Sequence, residues 1–342
     1  MIPIFNHQRN FWVVRADKGT LFRKFIQEKF IGIAHLDNHE LPLASSNDDL
    51  VREIYSLYDS DAINHGKLRQ IRSFIQKICP NDWVITLDQS HICVGRILSN
   101  SIFHANDEDP SYRGKISLRR NVIWGPIIPR NRLPYDLRNS LKSNLTVFNV
   151  NKFAESIYHS IFPFFVKDEY LHTTLLINSH YNLKTSSIAD LFNLVSSIEH
   201  HTFQAIANTS ESVDFSVIST VKAEFSSPGD IRIRFKSIGV SVPKWIPITL
   251  IIYTLLFGND WTGYQGLLDL KSRQAIISYI LKIKEIEKSI ELKQDLKLSS
   301  PDLKQSENLL SDNDKIISIG TILEEKKSNN SPKEMPKPPK TK

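Results

Sequence analysis

Short runs of β-branched and aromatic residues recur through residues 1–152, and each is closed by a turn or by a helical segment. The run at 11–15 ends at an Asp-Lys-Gly turn, and the run at 83–87 follows the helix breaker at 80–82. Apolar residues at helical spacing fill 21–30, 48–58 and 66–78. Strands this short, interspersed with helices, predict an α+β fold with a small, bent, mostly antiparallel sheet.

Residues 153–298 predict a second α+β domain with an effector or interaction role. Helices are expected at 153–162 and 187–207, and a strand at 173–177. An antiparallel pair is expected at 215–225 and 230–236, because Pro228-Gly229 between them is a favourable turn.

The most apolar stretch of the chain is residues 245–257, with the sequence WIPITLIIYTLLF. Because a membrane-spanning helix needs about 20 residues, this stretch favours a buried core helix over a membrane segment. Residues 264–298 predict a long amphipathic helix that could join a second copy or a partner protein. Residues 299–342 are rich in Ser, Asn, Lys and Pro, which predicts a disordered basic tail.

Composition excludes several classes of protein. Hydrophobic residues make up 41% of the 342 residues, which is too many for a chain disordered throughout. The two cysteines, Cys79 and Cys93, cannot build a disulfide scaffold or a thiolate zinc cluster. The N-terminus has no apolar leader, so we expect a cytoplasmic protein.

Positive charge is concentrated in the first domain. Residues 1–152 hold 21 Lys and Arg against 15 Asp and Glu, and this difference equals the net charge of +6 of the whole chain. Within them, residues 113–142 contain eight basic side chains and one acid, Asp136. Such an excess is typical of a surface that contacts a polyanion, although a solvated basic face has the same composition. The candidate phosphate contacts are Arg113, Lys115, Arg119, Arg120, Arg130, Arg132, Arg138 and Lys142.

Enzymatic motifs are weak. A metal-dependent nuclease would need an Asp followed by an acid-x-Lys triplet, and the nearest pattern, Asp214 followed by Lys222 and Glu224, has the wrong order. His35 and His39, or His200 and His201, do not have convincing ligand spacing, and no phosphate-binding or dinucleotide loop is present. We therefore expect no catalytic residue, metal or cofactor, with a divergent nuclease as the alternative.

Three tryptophans, Trp12, Trp83 and Trp124, lie in predicted strands, and two of them are near arginines. A pocket for a flipped base needs aromatic walls and a few hydrogen-bonding groups. Core packing is the commoner role of a strand tryptophan, so the pattern alone leaves both roles open.

A resemblance favours the pocket. It is carried by the order of short runs at 11–19, 31–34, 81–86, 94–97 and 119–124, and by the more specific run Arg138-Asn139-Ser140-Leu141-Lys142-Ser143-Asn144-Leu145-Thr146-Val147-Phe148. Residues 9–150 thereby resemble the N-terminal module of bacterial Mrr-like restriction endonucleases, which is similar to the PUA/EVE-like superfamily. That resemblance implies a small bent sheet that binds modified bases in nucleic acid, and we expect the nucleic acid to be DNA. The family's second strand continues into Ile-Gly-Trp, whereas this chain has Ile33-Ala34-His35.

The resemblance implies a sensor in a bacterial defence or restriction-like system, with the C-terminal domain signalling or assembling. The family's nuclease carboxylates have no counterpart after residue 152. A small-ligand sensor whose segment 245–257 disturbs membranes is a further alternative. The implied base pocket comprises Trp12, Arg15, His35, Trp124, Asn139 and Ser140.

Overall fold

The computed structural model describes most of the chain up to residue 236 and a shorter C-terminal part. The described residues are 2–5, 9–35, 49, 52, 54, 56, 65–99, 103–104, 116, 118–168, 170–178, 184–207, 220–224, 229–236, 294–310 and 315–317.

The described strands are numbered here along the chain. They are β1 (Ile2–Phe5), β2 (Phe11–Val14), β3 (Phe30–Ile33), β4 (Trp83–Leu87), β5 (His91–Ile97), β6 (Phe103–His104), β7 (Leu118–Pro129), β8 (Val147–Asn149), β9 (Phe164–Lys167), β10 (Tyr170–Ile177), β11 (Thr220–Glu224), β12 (Gly229–Lys236), β13 (Leu298–Ser299) and β14 (Lys315–Ile317). The α-helices in the described part of the chain are Phe22–Gln27, His65–Arg72, Tyr135–Ser140, Ala154–Ile161, Thr185–Ala207 and Leu303–Glu307, and a π-helical turn, Ser73–Lys77, continues the second of them.

The first sheet has the order β3-β7-β5-β4-β2-β8, with β6 on β7. Only the β2–β4 pair is parallel among its described pairs. The expected α+β class and the mostly antiparallel first sheet are therefore confirmed.

The second sheet has the order β11-β12-β10-β9-β1-β14, with β13 on β10. Strand β1, from the start of the chain, runs parallel to β9 and antiparallel to β14. The expected division at residue 152 needs a correction here, because residues 2–5 complete the second sheet instead of the first.

Two hydrophobic clusters hold the described residues together. One is shared by both sheets and the helix Ala154–Ile161, where the Phe5 and Tyr158 rings stack with centroids 4.1 Å apart. The other lies on the opposite face of the first sheet, under the helices Phe22–Gln27 and His65–Arg72. Because one core joins the sheets, residues on β7 and on the C-terminal segment can face each other.

The C-terminal segment differs from the expected disordered tail. Residues 298–310 form β13, a short helix and a turn, and Leu309 is fully buried in the shared core. Arg96 on β5 donates to the carbonyl oxygens of Leu309 and Leu310 over 2.8 and 3.3 Å. The prediction of a disordered tail, made from serine and lysine content, is therefore wrong for 299–310 and for β14, and apolar side chains such as Leu309 fix residues 298–310 to the core.

The long helix expected over 264–298 also stops early. Residues 294–296 are helical, Lys297 has a positive φ of 46°, and β13 begins at Leu298. The rest of that prediction, the apolar stretch 245–257 and residues 318–342 lie outside the described residues. Within the described part of the chain, no helix is both long and apolar enough to cross a membrane.

Candidate nucleic-acid interface

Three arginines from separate parts of the sequence meet at one end of the first sheet. Arg15 follows β2, Arg130 follows β7, and Arg138 lies on the helix Tyr135–Ser140. The Arg15 guanidinium donates to the carbonyl oxygens of Leu141 and Ser143, which links the end of β2 to the segment after that helix. The structure thus joins Arg15 to the block at 138–148 that carries the resemblance.

Strands β2 and β7 run in the same direction and end on the same edge of the first sheet, which places Arg15 and Arg130 on that edge. Partial burial lowers the pKa of Arg130, and the positive charges of Arg15 and Arg138 lower it further, against the opposing effect of Asp88. Arg130 donates through Nη1 to the carbonyl oxygens of Asp88 and Gln89 over 3.2 and 3.4 Å. Since a guanidinium has five N–H donors, Arg130 keeps donors for a ligand.

The helix Tyr135–Ser140 is amphipathic on a small scale. Leu137 and the following Leu141 are fully buried, whereas Asn139 is exposed and the side chain of Tyr135 is 65% exposed. The Arg138 guanidinium lies 5.9 Å from the centre of the Tyr135 ring. We call Arg15, Arg130 and Arg138, together with Tyr135 and Asn139 of the same helix as Arg138, the arginine face; the exposed Arg132 and Lys142 flank it in the sequence.

Arg120 requires a correction, because a phosphate contact needs an exposed guanidinium. Its side chain is 1% exposed and donates to the carbonyl oxygens of Phe74, Ile75 and Ser99 over 3.1, 2.8 and 3.3 Å. Burial lowers its pKa to about 10, so it stays charged at neutral pH. Arg120 therefore ties β7 to the π-helical turn.

Arg119 points to the other face of β7. Its guanidinium lies 4.7 Å from the centre of the Phe30 ring and donates to the carbonyl oxygen of Ile116 over 3.2 Å. The side chain is half-buried, so it is a less open cation than the exposed Arg132 and Lys142. Arg113 and Lys115 lie outside the described residues.

Trp12 and Trp124 occupy one row across the first sheet. Trp12 pairs with Val84, Val84 with Gly95, and Gly95 with Trp124. Three strand spacings of about 4.8 Å place the two Cα atoms about 14 Å apart. A Cβ at Gly95 would lie 2.5 Å from Cε3 of Trp124, so the indole fits there only because residue 95 has no side chain. The sheet therefore brings both tryptophans to the same face.

Helices cover that face, and this changes the role of Trp12. Its side chain is 6% exposed, and its indole N–H donates to the buried carboxylate of Asp82 over 3.0 Å. The prediction that Trp12 forms a wall of an open base pocket is therefore wrong, because the helices pack on its side chain. Trp124 is half-buried and donates to the carbonyl oxygen of Phe25 over 2.7 Å.

His35 lies where the chain leaves β3, half-buried beside the helix His65–Arg72. Burial lowers its pKa, a hydrogen bond with the Gln70 side chain raises it, and Lys67 lowers it. Gln70 in turn accepts from the backbone N–H groups of Thr146 and Val147 over 2.5 and 3.1 Å. His35 is thereby linked, through Gln70, to the segment that Arg15 also contacts. Of the expected pocket, the structure groups Arg15, His35, Asn139 and Ser140 around residues 138–147 and leaves Trp124 on β7.

One cleft of about 220 Å³ lies between the sheets and the C-terminal segment. Residues 126–129, Arg132, Asp230 and 300–302 contribute to its lining, and the six expected pocket residues do not. Two carboxylates, Asp230 and Asp302, are among the lining residues, and Asp230 forms an ion pair with Arg232 over 2.8 Å. Of the residues that the nuclease alternative names, Asp214 lies outside the described residues, and Glu224 lies opposite Asp230 in the strand register. The nuclease alternative therefore stays a prediction.

Comparisons with known proteins leave the resemblance as a prediction. No protein-family model, curated protein or solved structure matches the chain. The arginine face therefore supplies the evidence for function.

Proposed function

We propose that the chain binds nucleic acid, with the phosphate backbone held on the arginine face. The observation that carries the proposal is the grouping of Arg15, Arg130 and Arg138 at one end of the first sheet, where the charges of Arg15 and Arg138 lower the pKa of the partly buried Arg130. Such a grouping is destabilising in the free protein, because like charges repel most where water is partly excluded. Phosphates placed between the guanidinium groups would remove that repulsion and release counterions.

Tyr135 gives the arginine face a second type of contact. Its ring is exposed, and the guanidinium of Arg138 lies near it. Proteins that bind single-stranded nucleic acid use such a combination to stack the bases. Asn139, one helical turn further on, is exposed and offers both a donor and an acceptor for a base edge. The arginine face thus supports contact with an unpaired or flipped base next to the phosphates.

Selectivity for modified bases rests on the PUA/EVE-like resemblance. We place the base beside His35, Asn139 and Ser140, with Trp124 at the margin and Trp12 in the core. A bacterial defence or restriction-like role, with signalling or assembly through the C-terminal domain, follows from the same resemblance.

Fluorescence anisotropy with labelled duplex and single-stranded DNA tests the proposal. Loss of one charged phosphate contact in Arg138→Ala should weaken binding to both forms roughly tenfold. Loss of stacking in Tyr135→Ala should weaken binding to the single strand more than to the duplex.

The matched control is Arg72→Ala. This exposed arginine lies on the helix His65–Arg72 and its guanidinium donates to Gln76 of the next turn over 2.9 Å. Arg72→Ala removes one positive charge that does not belong to the arginine face, and it should leave the affinities for duplex and single-stranded DNA within about twofold of the natural values. Equal losses in Arg138→Ala and Arg72→Ala would reduce the effect to net charge and reject a specific face.

A further inference from the structure

Two histidines and a glutamate meet in the second sheet, away from the arginine face. Glu155 and His159 are one turn apart on the helix Ala154–Ile161, and His172 lies on β10 beneath that helix. One ligand atom from each residue lies within 4.8 Å of the other two. The Nε2 atom of His159 is 3.9 Å from Oε1 of Glu155.

A hydrogen-bond chain fixes the orientation of the His159 ring. Its Nδ1 lies 2.7 Å from the hydroxyl oxygen of Thr174, and that hydroxyl donates to the carbonyl oxygen of Phe162 over 3.4 Å. This contact occupies Nδ1 of His159 and leaves Nε2 as the ring nitrogen on the side of the Glu155 carboxylate. With the ring proton on Nδ1, the lone pair of Nε2 would face that carboxylate, an arrangement that a cation between them would stabilise.

His172 presents a second nitrogen to the same place. The side chain is 3% exposed, its Nδ1 has no hydrogen-bond partner, and the Phe165 ring stacks on it with centroids 4.5 Å apart. Burial and then Arg234, Lys167 and Arg232 lower its pKa to about 3, so the imidazole is neutral at pH 7. A neutral, oriented imidazole is the form that binds a metal.

We propose that Glu155, His159 and His172 form a binding site for a divalent transition-metal ion of the zinc, cobalt or iron(II) type. Two imidazole nitrogens and one carboxylate are a ligand set that these ions prefer, whereas Mg²⁺ and Ca²⁺ prefer oxygen. Ligand atoms around such an ion lie about 3.3 Å apart, so the three groups must close by up to about 1.5 Å. Glu155 is half-exposed and at the solvent side, which leaves it free to turn inward.

Charges of both signs surround the site. Lys167, Arg232 and Arg234 oppose a dication, Glu155 supplies a negative charge at the site, and Asp230 neutralises Arg232 through an ion pair of 2.8 Å. Three protein ligands also leave one position of a tetrahedral ion to solvent or to another molecule, as in catalytic rather than structural zinc sites.

Titration of Co²⁺ and Zn²⁺ into the full chain after treatment with EDTA tests the site. We expect one ion per chain, a cobalt absorption spectrum typical of nitrogen and oxygen ligands, and a rise in Tm with metal. Glu155→Gln, which keeps the shape of a half-exposed side chain, should weaken binding by at least about tenfold. Thr174→Val, which removes the support of His159, should weaken it about 10–100-fold.

Glu28→Gln is the matched control, since Glu28 is an exposed carboxylate that follows a helix and pairs with Lys24. It should bind metal like the natural chain. The Tm of Glu155→Gln in EDTA should equal that of the natural chain, which separates lost ligation from misfolding. Absence of saturable binding, or equal affinities for the natural chain and Glu155→Gln, would overturn the proposal and leave a histidine–glutamate ion pair.

Discussion

Replacing Arg120 separates the structural account from an interpretation based on charge alone. The guanidinium of Arg120 donates to the carbonyl oxygens of Phe74, Ile75 and Ser99, and Arg120→Ala removes these three hydrogen bonds. The first two belong to the π-helical turn that packs against the first sheet.

The magnitude follows mainly from the two buried bonds, to Phe74 and Ile75. A buried acceptor left without a donor costs about 1–3 kcal/mol, and the truncated side chain also leaves a cavity. Relief of the desolvation of the buried guanidinium offsets part of this cost. We expect a net loss of about 3–5 kcal/mol in the free energy of unfolding, or a fall in Tm of at least about 6 °C.

Urea denaturation at pH 7 measures this loss, with Arg132→Ala as the comparison. Arg132 is exposed, so its removal should change stability by less than about 0.5 kcal/mol while lowering the salt dependence of DNA binding. Arg120→Met, which fills the space without donors, should retain part of the lost stability. An Arg120→Ala protein of natural stability with a reduced salt slope would refute the reasoning and restore Arg120 as a phosphate contact.

Three further predictions concern other parts of the molecule. The folded pKa of His172, about 3, is below its ordinary value of 6.5, so its contribution to stability is present above pH 6.5 and is lost as the pH falls towards 3. At pH 5 the free energy of unfolding should be lower by about 2 kcal/mol than at pH 7 because of His172, as measured by urea denaturation at both pH values. This difference should be missing in His172→Gln, in which the neighbouring Lys167, Arg232, Arg234 and Glu155 are unchanged. Leu309→Ala should cost about 2–5 kcal/mol of unfolding free energy, whereas no change would show that the C-terminal segment does not pack in the core. His35→Ala should keep Tm within a few degrees and change the ratio of affinities for modified and unmodified DNA; an unchanged ratio would remove His35 from base recognition.

The sequence predicted elements whose signal is local. Strands β2, β4 and β5 and the helix beginning at His65 carry clear periodicity and breakers, and all lie close to the expected positions. Strands β1, β9, β13 and β14 were not predicted as parts of one sheet. They are short, and their pairing joins residues as distant as Ile2 and Ile317.

The candidate sites show the same limit. A count of basic residues cannot separate Arg120 from Arg130, although strand alternation places Arg120 on the buried face with Leu118 and Val122. That alternation was the available signal. The spacing of Glu155 and His159 on an expected helix was also visible, but His172 comes from a strand whose register against that helix only the fold provides. Likewise, nothing local predicts that Arg15 meets Arg130.

The salt dependence of binding to unmodified duplex DNA tests the central claim most directly. Plots of log K against log salt should be linear for the natural chain, and the variant with Arg15, Arg130 and Arg138 all replaced by Ala should have a slope shallower by about 0.9 for each lost contact, up to about 2.7. The variant with Arg72 replaced should retain the natural slope. Identical slopes in all three proteins, or no measurable binding by the natural chain at low salt, would contradict the assignment of the arginine face to nucleic acid.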